Sequence, residues 1–338
     1  MTAALPAPWV RYGLLPVLQV LTAFAVAALV VLIIGESPWR AMGLIFTGAF
    51  GYSEAVGYTL YYTTNFIFTG LAVAVAFHAG LFNIGGEGQA YLGGLGVALV
   101  ALALDAHWPW WGIFPLGLMA GALFGAAWAF IPAYLQAWRG SHIVITTIMF
   151  NFIAAALMVY LLVNVLRAPL SMSPETRPLA ESAWLPTLHQ LLAPMGLPLE
   201  PSPVNLALPL ALGCCVGVWL FIWHTRWGYA LRTVGQGGQA ARYAGIAPPR
   251  VIVAAMLLSG ALAGLVGVNE ILGVQHRLLL DFPAGSGFTG IAVALMGRNH
   301  PLGIVLASLL FGVLYQGGTE LVFEMPTVTP ELVVAIQG

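Results

Sequence analysis

The segment from Ala106 to Trp138, AHWPWWGIFPLGLMAGALFGAAWAFIPAYLQAW, contains no Asp, Glu, Lys or Arg. A helix crosses the hydrocarbon core of a bilayer in about 20 residues, so this segment is long enough to span a membrane. Similar uncharged intervals recur along the chain, at 12–35, 55–86, 88–104, 140–166, 201–225, 251–269, 282–297 and 299–319. The pattern predicts an all-α polytopic membrane protein.

The composition excludes the other broad classes of protein. Of the 338 residues, 60% are hydrophobic and 7% are charged, whereas a soluble domain carries about 25% charged residues. So little polar material cannot cover the surface of a water-soluble fold of this length, and a disordered chain needs low hydrophobicity. The net charge of −1 and the absence of a basic tract argue against nucleic-acid binding.

The chain contains no motif for catalysis or metal binding. All 11 basic residues are Arg, and without Lys a Walker-type phosphate-binding loop is impossible. Metalloprotease and serine-hydrolase motifs are absent, and the two cysteines, Cys214 and Cys215, are adjacent, which is not a metal-ligand spacing. We predict a protein that is not an enzyme and has neither catalytic residues nor a metal.

The uncharged intervals predict about ten membrane helices in a single transmembrane domain, 1–338. Two of the ten are short, as discontinuous helices are, and we expect an internal repeat. The last apolar run, 332–336, cannot span a membrane as it stands, so we expect the final helix to be truncated. The helices are predicted at 12–35, 55–78, 89–104, 110–135, 141–166, 204–224, 251–272, 286–297, 301–318 and from about 328.

The positions of the Arg residues predict the orientation, because cytoplasmic loops of membrane proteins carry an excess of basic residues. With a cytoplasmic N-terminus, more Arg residues fall on the inner side than on the outer side. Residues 167–203 then form an external loop and residues 225–250 a cytoplasmic loop. The inner residues are Arg11, Arg139, Arg226, Arg232, Arg242, Arg250 and Arg298, and the outer ones are Arg40, Arg167, Arg177 and Arg277.

The most informative stretch is Gly80-Leu-Phe-Asn-Ile-Gly-Gly-Glu-Gly-Gln89, which lies between two runs of membrane length. Three glycines around Glu87 unwind or break a helix. Irregular backbone at membrane depth is tolerated only where protein or a water-filled cavity satisfies its polar groups. Asn83, Glu87 and Gln89 are therefore candidates for a solute pathway. The alternative is that Glu87 is a polar brace or lies in a cytoplasmic turn.

Further candidates lie elsewhere in the chain. Asn269-Glu270 is a second polar pair, and Arg277 lies seven residues on, on the same face if the helix continues. We expect an ion pair between Glu270 and Arg277, with a role in the pathway as the alternative. Asn65 and Asn151 are lone amides in apolar runs, which typically form hydrogen bonds between helices. Aromatic rings could stack on a planar solute. The candidate pathway residues are Asn83, Glu87, Gln89, Phe82, Asn151, Asn269, Glu270 and Phe288.

Small residues at helical spacing predict close packing between helices. In lipid, apolar side chains gain little by exchanging lipid for protein, so close backbone approach drives association. We assign these residues a structural role. They are Gly117, Gly121 and Gly125, Gly213 and Gly217, and Gly260 and Gly264.

The predicted cytoplasmic loop contains a short helix from Gln239 to Tyr243, with Gly245 as its C-cap and Pro248-Pro249 as its stop. So short a helix is unstable alone in water and must dock on something. One possibility is that this helix docks on its own chain, and another is that it docks on a partner. A further alternative is that the Arg residues of the loop serve only to set the membrane topology.

Four segments, taken together, resemble one family. They are similar to the permease subunits of bacterial ABC importers, in the branch that handles simple sugars, nucleosides and branched-chain amino acids. The amino-acid sequence of the first segment, Gly80–Gln89, is most similar to the nucleoside or simple-sugar subgroup. The segments, read with their flanking residues, cover the chain in order from about residue 59 to 318, and they are Gly80–Gln89 with Gly93-Gly94, Thr146–Asn151, Leu231–Gly235 through Ala241–Ile246, and Gly287–Gly297 with Pro301–Gly303.

The resemblance implies an importer that works by alternating access in the bacterial inner membrane, with no chemistry in this chain. Two permease subunits, the second a distinct homologous chain, would form the channel. Two cytoplasmic ATPase subunits would bind ATP and Mg and dock on residues 226–250, and an external solute-binding lipoprotein would deliver a nucleoside or simple sugar.

The same loop resembles the coupling helix of such importers. Gln239-Ala-Ala and Gly245 are similar to its Glu-Ala-Ala-x-x-x-Gly pattern, although Gln239 replaces the acidic residue. The coupling residues that the resemblance implies are Arg232, Gln239, Ala240, Ala241, Arg242, Tyr243 and Gly245.

The rival function is an ion-coupled secondary transporter of a small polar solute. Its ion-binding carboxylate would be Glu87 or Glu270, because an intramembrane carboxylate is a functional candidate by default. Uptake driven by an ion gradient without an ATPase would favour this rival.

Overall fold

The computed structural model describes residues 10, 14–169, 171–193, 200–325, 327–329 and 333. These residues contain no β-strand, and their only strand-like pairings are two isolated bridges. The predicted all-α class is confirmed. The α-helices are α1 (Leu15–Ile33), α2 (Pro38–Phe50), α3 (Ser53–His78), α4 (Gly86–Leu104), α5 (Trp110–Arg139), α6 (Ile143–Asn164), α7 (Leu188–Leu192), α8 (Ala207–His224), α9 (Arg226–Gln236), α10 (Gly238–Tyr243), α11 (Pro248–Gly264), α12 (Ser286–Met296) and α13 (Pro301–Glu324).

Seven helical segments of the described chain are long and apolar enough to cross a membrane, and α1 with α2 forms an eighth if the bent pair is one span. The polytopic character is confirmed, but the number ten is not. Helix α12 has only 11 residues, and most of the helix predicted from about 328 lies outside the described residues. The seven segments are Ser53–His78, Gly86–Leu104, Trp110–Arg139, Ile143–Asn164, Ala207–His224, Pro248–Gln275 and Pro301–Glu324.

Helix α2 is absent from the sequence-based prediction. Helix α1 ends at Ile33, and Gly35 follows with a φ of 89°, in the left-handed region. Pro38 then begins α2, where its missing N–H leaves no helical hydrogen bond unmade. The two helices are bent by 114° relative to each other. The prediction used charged residues as boundaries, so Arg40 concealed an otherwise apolar helix.

The chain divides into two compact units. The first contains residues 1–52 and 313–338, and the second contains residues 53–312. Close packing in the first unit requires glycine, because a Cβ on Gly317 would collide with the carbonyl oxygen of Ile45. The apolar core of this unit contains Val31, Ala41, Leu321, Met325 and Val328.

In the second unit, α3 and α4 occupy the centre. In the most apolar stretch of each helix, 83% of the residues of α3 and 72% of those of α4 are buried. The corresponding share is 28% in each of α5, α6 and α8. The peripheral helices therefore present most of their apolar surface outward, as helices that face lipid do. Glu87 and Gln89, two of the candidate polar residues, lie on the central helix α4, and Asn83 lies in the break between α3 and α4.

Close packing between α5 and α11 in the second unit depends on glycine. A Cβ on Gly125 would collide with the carbonyl oxygen of Gly260, and one on Gly121 would lie 3.1 Å from that of Gly264. The predicted packing role of these glycines is confirmed. Gly213 and Gly217 on α8 differ, because a Cβ at either position would meet nothing within 4 Å among the described residues, so their predicted packing role is not confirmed.

One end of the second unit, which we call the His78 end, gathers the ends of α3 and α8 and the turn between α12 and α13. His78 Nε2 donates a hydrogen bond to the Asn299 carbonyl oxygen, at 3.0 Å. The ring of Trp223 packs against the rings of His78 and His300, with centroids 5.2 and 5.1 Å apart. Residues 225–250 follow α8 directly and lie at this end.

The opposite end of the second unit, which we call the Asp105 end, holds the described residues of the loop 167–203. Arg177 forms an ion pair with Asp105, and the Leu185 N–H donates to the Leu272 carbonyl oxygen at 2.8 Å. Helix α8 has 18 residues, so it separates the two ends by about 27 Å. The two loops lie at opposite ends, as the alternation of membrane helices requires. Which end faces the cytoplasm stays a prediction.

Candidate functional site

The break between α3 and α4 is a closed turn whose polar atoms bind one another. Gly80 has a φ of 72°, which glycine adopts without strain. Asn83 is fully buried. Its Oδ1 accepts from the Gly85 N–H at 2.9 Å and from Gln89 Nε2 at 3.2 Å, and its Nδ2 donates to Gln89 Oε1 and to Ser259 Oγ at 2.9 Å each. Asn83 therefore holds the turn in one conformation.

Helix α6 satisfies the remaining backbone of the break through Asn151. Asn151 Nδ2 donates to the Ile84 carbonyl oxygen, and its Oδ1 accepts from the Gly88 N–H, each at 2.9 Å. The Ile84 N–H donates to Thr147 Oγ1 at 3.3 Å. Asn151 thus forms the hydrogen bonds between helices that the sequence predicts for a lone amide.

Glu87 joins the two broken helices. Its Oε1 accepts from the Gly285 N–H at 2.9 Å and its Oε2 from the Gly287 N–H at 2.7 Å. These amides belong to the start of α12, where free N–H groups and the helix dipole favour a negative charge. A Cβ on Gly287 would collide with the Glu87 backbone nitrogen, so α4 and α12 begin side by side. This geometry matches the brace that the sequence leaves as an alternative.

A second polar cluster surrounds Glu270, which is only 3% exposed. Its Oε1 accepts from the Tyr61 hydroxyl at 2.5 Å and from Asn65 Nδ2 at 2.6 Å. Asn269 donates from Nδ2 to Asn65 Oδ1 and accepts at Oδ1 from Asn205 Nδ2, each at 2.9 Å. The cluster fastens the continuation of α11 to α3 and to the segment before α8.

The predicted ion pair between Glu270 and Arg277 is wrong. Arg277 binds Glu175 instead, at 3.3 Å. The helix does not continue to Arg277, because residues Val268–Gln275 form a π-helix and His276 follows with a φ of 51°. A π-helix changes the residues per turn, so the seven-residue spacing no longer places two side chains on one face.

The structure sorts the candidate pathway residues into separate groups. Asn83, Glu87, Gln89 and Asn151 meet at the break, whereas Asn269 and Glu270 form the other cluster. Phe82 packs on Phe77, with ring centroids 5.1 Å apart, and Phe288 is 49% exposed. The aromatic rings and the buried amides do not form one shared binding surface among the described residues.

Sequence reasoning missed Tyr61 and Asn205 as members of the Glu270 cluster, and it predicted hydrogen bonds between helices for Asn65 without identifying Glu270 as a partner. A signal existed in α3, where several polar residues recur within an apolar run. All of them are buried, and they are Thr59, Thr63, Thr64, Asn65 and Thr69. A polar stripe on a membrane helix must find partners inside the protein, which predicts a face toward other helices.

The predicted coupling loop contains two helices rather than one. The short helix is confirmed as α10, with Gly245 next to it at a φ of 77°. The preceding helix, α9, was not predicted. Its N-cap, Thr225, accepts a hydrogen bond from the Gly228 N–H at 3.0 Å. Pro248 is the first residue of α11, whereas the sequence predicted only that Pro248-Pro249 ends the short helix.

We call helices α9 and α10 together, residues 226–243, the α9–α10 element. One face of the α9–α10 element is buried and the other is exposed. Leu231 and Val234 of α9 are 2% and 8% exposed, and Ala241 of α10 is fully buried. Tyr243 is 95% exposed. The remaining predicted coupling residues, apart from the half-buried Arg232, are also exposed, and they are Gln239, Ala240, Arg242 and Gly245.

At the Asp105 end, an ion pair fastens residues 175–189 to the end of α4. Arg177 contacts both oxygens of Asp105, at 2.6 and 2.8 Å. The guanidinium holds the pKa of the Asp105 carboxyl below its usual range. A lowered pKa in the folded state stabilises the docked loop above the ordinary carboxyl pKa, and the stabilisation is lost as the pH falls through the lowered value.

We expect Arg177→Met to loosen this loop, because the buried Asp105 carboxylate then lacks its cation. Limited proteolysis of the purified protein between residues 175 and 189 should become faster at neutral pH. Arg167→Met is the matched control, since Arg167 is exposed and binds the Ser171 carbonyl oxygen in the same loop. Equal cleavage of both variants and the parent would contradict this role of the ion pair.

Comparison with known proteins identifies the family. The family model described as the branched-chain amino acid transport system permease component matches residues 55–338. The chain belongs to this family. It is a multi-pass membrane permease of the ABC transporter type.

Two relatives match nearly the whole permease. A guanosine ABC transporter permease of Bacillus subtilis is 37% identical over 96% of this chain and 91% of its own length. A glucose ABC transporter permease of Haloferax volcanii is 36% identical over 97% of this chain and 86% of its own length. A second guanosine ABC transporter permease of B. subtilis is 27% identical over 75% of this chain and 78% of its own length.

Proposed function

We propose that this permease is the membrane subunit of an ATP-driven importer that moves a nucleoside, or alternatively a simple sugar, across the inner membrane by alternating access. The observation that carries the proposal is the α9–α10 element. Its buried face rests on the permease, and its open face carries Arg242 and Tyr243. Such a surface suits a cytoplasmic ATPase, which would bind ATP and Mg and supply the energy.

The proposed substrate follows from the relatives. One relative is named for guanosine and another for glucose, and their sequence identities to this chain differ by one percentage point. Both solutes are uncharged and rich in hydroxyl groups. The buried amides at the break already bind protein atoms, so a solute passing there meets few free partners and is held weakly. Tight selection then belongs to an external solute-binding lipoprotein.

The proposed second permease is a distinct homologous chain. Bacillus subtilis has two permease proteins named for guanosine, and this chain is 37% identical to one and 27% identical to the other. This difference supports a heterodimer in which the present chain occupies one of the two positions.

The proposed orientation places the His78 end in the cytoplasm. Arg226, Arg232, Arg242 and Arg298 lie at that end, whereas Arg177 and Arg277 lie at the Asp105 end. An excess of Arg marks the cytoplasmic side of a membrane protein.

Reconstitution of the permease in proteoliposomes with its second permease, ATPase and lipoprotein tests the proposal. We expect uptake of radiolabelled guanosine that requires internal ATP and that is lost when the ATPase is omitted. Glucose in the same assay distinguishes the two substrate classes. Uptake driven by a proton or sodium gradient without the ATPase would instead establish the secondary transporter, although both oxygens of Glu87 are already engaged by backbone amides.

A further inference from the structure

Two of the segments that resemble the family touch each other at the His78 end, glycine against glycine. A Cβ on Gly80 would lie 3.1 Å from Gly235 Cα and 3.2 Å from Gly235 O. A Cβ on Gly235 would collide with the carbonyl oxygen of His78 and lie 2.9 Å from the Gly80 nitrogen. All these neighbours are backbone atoms, which cannot swing aside as the end of a side chain can. The contact therefore requires glycine at position 235.

On one side, the contact belongs to the α9–α10 element. Gly235 lies in the last turn of α9, whose Leu231 and Val234 are buried against the rest of the second unit. Helix α10 begins at Gly238, three residues later. Because so few residues separate α10 from Gly235, a displacement of α10 would also move Gly235.

On the other side, the contact leads to both broken helices. Gly80 opens the break that Asn83 holds closed, and Glu87 at the start of α4 caps α12. The far end of α12 returns to the same place, because Asn299 accepts a hydrogen bond from His78. Residues 78–80 are therefore connected to α4 and to both ends of α12.

We propose that the contact between Gly235 and residues 78–80 transmits movement of the α9–α10 element to the broken helices α4 and α12. The proposal rests on the proposed function and adds a mechanical step to it. Gly235 acts as a positioning residue, since it touches neither the solute nor the nucleotide. A contact that serves packing alone would matter for assembly and not for the coupling of ATP hydrolysis to uptake.

The test compares Gly235→Ala with Gly238→Ala in the reconstituted importer. A Cβ on Gly238 meets nothing within 4 Å among the described residues, so this variant is a matched control in the same element. We expect Gly235→Ala to assemble and hydrolyse ATP, with uptake per ATP reduced about tenfold, a typical size for coupling between two sites. Gly238→Ala should keep the parent ratio. A parent ratio in Gly235→Ala would overturn the proposal.

Hydrogen–deuterium exchange decides the question if Gly235→Ala fails to assemble. In the unmodified complex, ATP should change the exchange of the amides at residues 79–85. Unchanged exchange at these residues would overturn the proposed role of the contact between Gly235 and residues 78–80. Failure of the proposed function is distinguishable, because the unmodified importer would then show no ATP-driven uptake in the same vesicles.

Discussion

Replacing Glu87 by Ala is expected to lower the free energy of unfolding of the purified permease by about 3 kcal/mol and to abolish ATP-driven uptake. The carboxylate accepts hydrogen bonds from two backbone amides at the start of α12, of which the Gly287 amide is buried and the Gly285 amide is part-buried. Without it, both amides lose their partner, the Gly287 amide in a buried position that water does not reach, and the positive end of α12 faces the start of α4. Unfolding curves in mixed detergent and uptake in proteoliposomes measure the two effects.

Glu87→Gln and Glu54→Gln show which property of Glu87 matters. Gln offers one carbonyl oxygen and turns an NH₂ toward the other amide, so we expect a smaller loss of stability and of uptake than for Ala. Glu54 is exposed in the first turn of α3, and Glu54→Gln should change neither quantity. Lost uptake with unchanged stability in Glu87→Gln would contradict the brace and support direct contact with the solute.

Arg242→Glu is expected to reduce ATP-driven uptake by tenfold or more while the permease remains folded and inserted, an effect of about 1.4 kcal/mol or more on the docking of the ATPase. Arg242 is exposed on the open face of α10. A charge reversal there would repel an acidic partner surface without disturbing the buried face. Co-purification of the ATPase and uptake in vesicles are the measurements.

Arg139→Glu is the control for this charge reversal. Arg139 is exposed in the last turn of α5, outside the α9–α10 element. We expect it to keep the ATPase bound and uptake at the parent level. Full uptake in Arg242→Glu would remove this residue from the coupling surface, and equal loss in both variants would indicate a general effect of Arg charge.

The long membrane helices were predictable because each depends on its own composition. An uncharged run of about 20 residues leaves the backbone no option in lipid except a helix. This argument located both ends of α3, α5, α6 and α8 within about four residues, and it located the start of α13 but placed its end about six residues too early. It missed α2 because Arg40 lies inside an apolar helix. It missed α9 because it searched only for uncharged runs, whereas α9 is a short amphipathic helix whose signal is the spacing of buried residues such as Leu231 and Val234.

The candidate site was predictable in part. Three glycines around Glu87 indicated a broken helix with polar side chains, and the structure places a turn there. The partners of Glu87 were not predictable, since Gly285 and Gly287 lie 198 and 200 residues away. The pairing of Glu270 with Arg277 failed for a local reason, because a π-helix altered the spacing on which it depended.

The sequence by itself determined the membrane class, the helical fold and the helix break at Gly80–Gln89, because hydropathy and glycine act over a few neighbouring residues. Only the tertiary structure decided that Glu87 caps α12, that Asn65 holds Glu270 and that Gly235 meets Gly80. Each of these contacts joins segments more than 150 residues apart along the chain. Their partners are selected by the packing of whole helices, which no local pattern records.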